Sequence, residues 1–175
     1  LAVFAFVGPV LAAGTARAGP DVGPAQGATV VRLTPGFGGV CQSCDLSGRM
    51  MAGARISGGV FSNSNFSRSV LSRANASGSV FEDADFSRSD MTYAKMNDGK
   101  FKGAQFDGAN LGHVDASRAD LKSADFTSAE LPSATFAQAS LQGAVFVAAR
   151  AQGANFLGAI LKRANFAYAR LQQAD

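Results

Sequence analysis

The sequence predicts an all-β solenoid of square cross-section, with four five-residue units in each coil. Three observations predict it. In FTSAELPSATFAQASLQGAVF, residues 126–146, the large residues Phe126, Leu131, Phe136, Leu141 and Phe146 stand five apart, each with an Ala two places before it. That spacing runs without insertion from Leu46 to Leu171, and its 26 positions hold eleven Phe, eight Leu, three Met, three Ala, one Ile and nothing polar. Sorted at a spacing of 20 the large residues segregate by type, whereas a spacing of 15 mixes them. A helix repeats every 3.6 residues and a flat strand every 2, so neither makes every fifth side chain equivalent.

Residues 1–18, LAVFAFVGPVLAAGTARA, form an apolar run followed by Ala16-Arg17-Ala18. A short apolar core with small residues two apart reads as a secretory signal cleaved after Ala18. The run is shorter than the roughly 20 residues of a membrane span, so no integral span is expected in the mature chain. The absence of an initial Met points to a start upstream of Leu1. Residues 19–40 read as a linker, Gly/Pro-rich in GPDVGPAQG, and an N-terminal capping strand around Val30, Val31 and Leu33.

The array occupies residues 41–175. Two places before each large residue, 25 of 27 positions from Cys44 to Ala174 are Ala, Ser, Gly or Cys; Arg49 and Val114 depart from this. The residue between small and large varies through Asp, Asn, Lys, Arg, Val and Gln, as expected of a solvent-facing place. After each large residue comes a turn: Gly fills its second position nine times in 26, and Pro132 fills a first position. Pro second and Gly third in a four-residue turn is the type II preference.

At a spacing of 20, one column reads Leu46, Phe66, Phe86, Phe106, Phe126, Phe146 and Phe166. Coils paired like parallel strands about 4.8 Å apart would place those rings within stacking range. This Phe column is the expected structural core. Met96 falls between Ala76 and Ala116, which predicts a loosely filled level there. The last unit stops at Ala174-Asp175 without its large residue, so the array is expected to continue past Asp175, or else to self-associate through a bare C-terminal edge.

ANFLGAILKRANFAYARL and ADLKSADFTSAEL resemble the repeats of the pentapeptide-repeat family, and CQSCDLSG resembles a frequent opening of such arrays. The resemblance covers residues 41–175. It implies a right-handed quadrilateral β-helix; some cytoplasmic relatives inhibit DNA-handling enzymes by imitating DNA.

Few residues invite chemistry. Cys41 and Cys44, the sole cysteines, take a large and a small inward place across one corner: two packed core thiols, or a disulfide in an oxidising compartment. Zinc would need two further ligands, and the chain has one His, so no metal or cofactor is expected. Arg73, Tyr93 and His113 share a corner on three successive coils and read as a plain exposed row, the alternatives being a cation–π ladder or a small binding spot. Asp45, Asp85 and Asp125 alternate with neutral residues in an outward column and read as solvated, with no catalytic role. Net charge is +3 with 16 basic and 13 acidic residues interspersed, which is neither the basic stripe of a nucleic-acid binder nor the acidic face of a DNA mimic. The sequence therefore predicts an exported, periplasmic or secreted, non-catalytic module with a structural or protein-interaction role, its partner an unidentified protein. Neither a nucleic acid nor a small-molecule substrate is expected. The outward Met50, Val60, Val70, Val80, Val145, Val147, Leu157 and Ile160 are candidate contacts. Inhibition of a DNA-handling enzyme is the alternative.

Overall fold

The computed structural model describes residues 39–175; the predicted signal at 1–18, the linker and the strand at 30–33 lie outside the described residues. From Val40↔Val60 to Arg150↔Arg170, 23 parallel bridges each join residues 20 apart. Four units therefore make one coil. Each bridge is a single residue, so the short extended segments never lengthen into continuous strands. The reason is the corner: every third residue of a unit, from Ser43 to Gln173, has φ between +54° and +69°, which interrupts extension once in five residues. Positive φ at the third turn residue is what a type II turn requires. Only nine of those 27 corners are Gly, so most are held in a conformation that costs an L-residue roughly 1 kcal/mol.

What holds the corners is pairing of the backbone between coils. In unit 111–115, Leu111 N–H donates to Glu130 O (2.7 Å), His113 N–H to Pro132 O (2.9 Å), and Asp115 N–H back to Ala94 O (3.0 Å), while Val114 N–H closes the turn on Leu111 O (3.1 Å). The fifth donor, Gly112 N–H, is taken by Asn110 Oδ1 at 3.1 Å. Buried Ser64, Ser69, Ser79 and Ser89 donate their hydroxyls to carbonyl oxygens.

Large residues point inward and are buried from Cys41 to Ala151. Phe66, Phe86, Phe106, Phe126, Phe146 and Phe166 form one stack, with successive centroids 4.6–5.2 Å apart and planes within 13°. A second stack, Phe61, Phe81 and Phe101, meets it edge-on in the N-terminal half, as Phe61 does to Phe66 at 5.8 Å and 76°. In the C-terminal half Phe136 and Phe156 reach it from the opposite side, Phe136 lying 5.7 Å from Phe126 at 77°. This exchange explains Ala76 and Ala116: they sit at the levels where the bulk comes from Phe81 and Phe101. Met96 between them is fully buried.

Two inward small places admit Gly alone. A Cβ on Gly59 or Gly99 would run into the ring of Phe61 or Phe101 and lie within 2.9 Å of a carbonyl oxygen. Val114 is accommodated and buried, but Arg49, at the predicted inward place, is exposed. Toward the C-terminus Phe156, Leu161 and Phe166 are only partly buried.

Phe106→Ala should cost about 3–5 kcal/mol, because a stacked wall cannot close on the cavity. Leu157→Ala, at a side chain 63% exposed, should cost less than about 1 kcal/mol. Urea unfolding of the two variants checks the inward register, and equal losses would refute it. Gly99→Ala is expected to lose about 1–3 kcal/mol through overpacking against Phe101, whereas Ala→Gly at the equivalent small place Ala104 should lose about 1 kcal/mol or less; thermal melts distinguish them.

Candidate interaction surface

The outward residue of each unit has two uses. Every Asp or Asn at that place from Asp45 to Asn165 accepts, through Oδ1, the N–H two residues on, as in Asp85 to Ser87 (2.8 Å), Asp125 to Thr127 (2.9 Å) and Asn155 to Leu157 (2.8 Å). These Asx turns supply the one acceptor that the coil lacks. The outward place is therefore less free than its varied composition implied: Asp45, Asp85 and Asp125 stabilise the corner. Hydrogen bonds from Ser47 hold the Asp45 carboxyl below its ordinary pKa. Other outward residues, such as Val60, Lys95 and Arg150, leave that donor to solvent.

Cys41 and Cys44 are joined as a disulfide across the first described corner, with Cα atoms 5.6 Å apart. The usual turn hydrogen bond is replaced there by Ser64 of the next coil, whose hydroxyl donates to Cys41 O (2.6 Å) and accepts from Cys44 N–H (3.1 Å). Of the two arrangements open at the sequence level, the structure adopts the bonded one.

Arg73, Tyr93 and His113 stand above one another as a ladder. The Arg73 guanidinium lies 5.8 Å from the Tyr93 ring centroid, and Tyr93 stacks on His113 at 4.7 Å and 8°. Beside this ladder runs a shallow groove lined by Gly53, Arg55, Ser57, Arg73, Asn75, Tyr93 and Lys95. Sequence alone singles out only the aromatic corner. Arg55 and Lys95 escaped it because their shared column appears only when outward residues are sorted at 20, and no basic run marks it. One coil further on, Arg118 grips Asp98 through Nε–Oδ1 at 2.7 Å and Nη2–Oδ2 at 2.8 Å. The hydrogen bonds from Arg118, and then from Asn97, lower the Asp98 pKa to about 2.

Among the described residues no three His, Cys, Asp or Glu side chains group as metal ligands, and no helix is long and apolar enough to cross a membrane. The pentapeptide-repeat family model matches residues 64–103, 104–143 and 139–175, in eight copies. The chain belongs to the pentapeptide-repeat family. None of the curated proteins matches it in sequence. Solved structures similar to this pentapeptide-repeat chain include QnrB1, a plasmid-mediated fluoroquinolone resistance protein, at 23% identity over 79% of this chain and 73% of that one, with a TM-score of 0.37. A pentapeptide-repeat protein of the Arabidopsis thaliana thylakoid lumen is 25% identical over 63% of this chain and 66% of that chain, with a TM-score of 0.41. One from the cyanobacterium Cyanothece 51142 is 15% identical over 79% and 84%, with a TM-score of 0.40.

Because the Asp98 pKa is depressed below its ordinary 3.8, the ion pair stabilises the fold above about pH 4 and is lost as pH falls toward about 2. NMR titration of the Asp98 carboxyl should give a midpoint near 2, rising toward the ordinary value in Arg118→Ala; an unchanged midpoint would show that Arg118 is not the cause. Asn110→Ala should destabilise by about 1–2 kcal/mol, since the buried Gly112 N–H loses its acceptor. Asn165→Ala, at an exposed unit, should cost less than about 0.5 kcal/mol in the same denaturation series.

Proposed function

We propose that this pentapeptide-repeat chain is a non-catalytic interaction module, a right-handed quadrilateral rod that works in the periplasm or outside the cell and binds another protein with its outer faces. The hand is taken from the family. The observation that carries the reading is the unbroken register from Cys41 to Asp175. Catalytic groups are usually carried on loops above a scaffold, and here each of the 27 corners returns the chain directly to the next side. The interior is filled with side chains, and what varies from coil to coil is the outward surface. The apolar run and small-residue pattern of residues 1–18 support export, as does a Cys41–Cys44 disulfide, which suits an oxidising compartment.

DNA mimicry demands dense negative columns. The column Asp45, Asn65, Asp85, Gln105 and Asp125 instead alternates carboxylate with amide, and residues 41–175 carry 14 basic against 12 acidic side chains.

A photo-crosslinking residue placed in turn at Lys95, Lys100, Gln105 and Arg150, one on each outer face, tests the proposal in the native cell. A discrete adduct from one face or two adjoining faces is the expected result. Indiscriminate labelling from all four, or none, sinks it. Adducts to the chain itself, together with a dimer in light scattering, would replace it with self-association. Strong inhibition of a purified topoisomerase would replace it with DNA mimicry.

A further inference from the structure

We propose that the groove beside the Arg73–Tyr93–His113 ladder docks an extended acidic segment of the partner protein; this names the partner's chemistry and rests on the interaction role above. The groove exists because the surface steps between coils. Gly53 and Gly58 leave open space where a Cβ would stand, while the next two coils place Arg73 and Tyr93 at the corner that Gly53 begins. Along its other wall Arg55, Asn75 and Lys95 are bridged in sequence, which sets Arg55 and Lys95 about 9.6 Å apart along the rod, two strand spacings.

Every polar group the groove offers can donate. Arg55, Arg73 and Lys95 are exposed, and none takes part in an ion pair among the described residues. Asn75 Oδ1 is occupied by the Ser77 N–H at 3.1 Å, which leaves its amide NH2 for a ligand. The neighbouring acids are Asp115, one coil beyond Lys95 in the column and turned to the Ser117 N–H, and Asp98, held by Arg118. Three cations outside any ion pair among the described residues, with accompanying donors, call for carboxylates or phosphates, and guanidinium forks suit both.

The aromatic wall decides between them. Single-stranded nucleic acid is gripped by stacking bases on free ring faces, but Arg73 covers one face of Tyr93 and His113 the other. The ring offers an edge and a hydroxyl, and it fixes the Arg73 guanidinium. A small ligand would need a concavity that buries most of its surface, whereas this groove is open along its length. An extended chain places same-side carboxylates about 6.8 Å apart, within the span of Arg55 and Lys95.

The test uses the full chain and a fluorescein-labelled peptide alternating Glu with Thr, its Gln-for-Glu counterpart, and labelled oligothymidylate, read by fluorescence anisotropy at low and physiological salt. The Glu peptide should bind and weaken with salt, and the Gln peptide should not. Arg55→Ala combined with Lys95→Ala should weaken binding about tenfold or more, with the thermal melt unchanged. Lys162→Ala with Arg163→Ala, a basic pair outside the groove, should have no effect. Equal binding of the Glu and Gln peptides, equal loss in the two double variants, or tighter binding of oligothymidylate would overturn the proposal. Discrete crosslinks confined to another face would refute this groove and leave the interaction role standing.

Discussion

The rod depends on its corner. Once every five residues the backbone passes through positive φ, and from Ser43 to Gln173 no corner escapes this. Eighteen of those residues are not Gly, among them Arg, Tyr, Gln and Ala, for which the conformation is unfavourable. It persists because each unit from Ile56 to Asn155 satisfies four of its N–H groups on backbone oxygens, three of them between coils. The strain is local and small, while the pairing is repeated on every side of every coil. Once the corner is fixed, the width of the interior is fixed with it, and so is the rule of one large and one small side chain per unit.

Within that width the core is filled by exchange between columns. The Phe66 to Phe166 stack runs through most of the described array, and other rings support it first from the adjoining side and then from the side across the interior. Where Phe81 and Phe101 supply bulk, Ala76 and Ala116 recede; where Leu121 and Leu141 are smaller, Phe136 and Phe156 take over. Edge-to-face contact between the stacks and offset stacking within them are both favoured by the ring quadrupole. The interior therefore tolerates changes of residue at one place only when another place at the same level compensates.

The outer surface is what remains free to differ between coils, and even there the backbone takes its share. Eleven outward Asp and Asn side chains serve the turn that follows them. Free of that task are the outward residues that do not cap, and the two corner positions. This concentrates Arg55, Lys95, Arg73 and Tyr93 on one stretch of one side, and it makes membership of the pentapeptide-repeat family informative about the scaffold and silent about the partner.

The sequence by itself determined the period, the number of units per coil, the inward columns and the turn, because each of these is a statement about which residues are equivalent. Equivalence shows up as recurrence, and recurrence can be counted. Tertiary structure decided what equivalent residues do where their surroundings differ. Gly59 and Gly99 look interchangeable with any Ala until the rings of Phe61 and Phe101 are laid over them. Arg49 occupies an inward place by count but is exposed on the first described coil, and Ser64 enters the Cys41–Cys44 turn from the coil beyond. The groove is of the same kind: its residues lie 20 apart in the chain, and only stacking the coils brings their charges onto one surface.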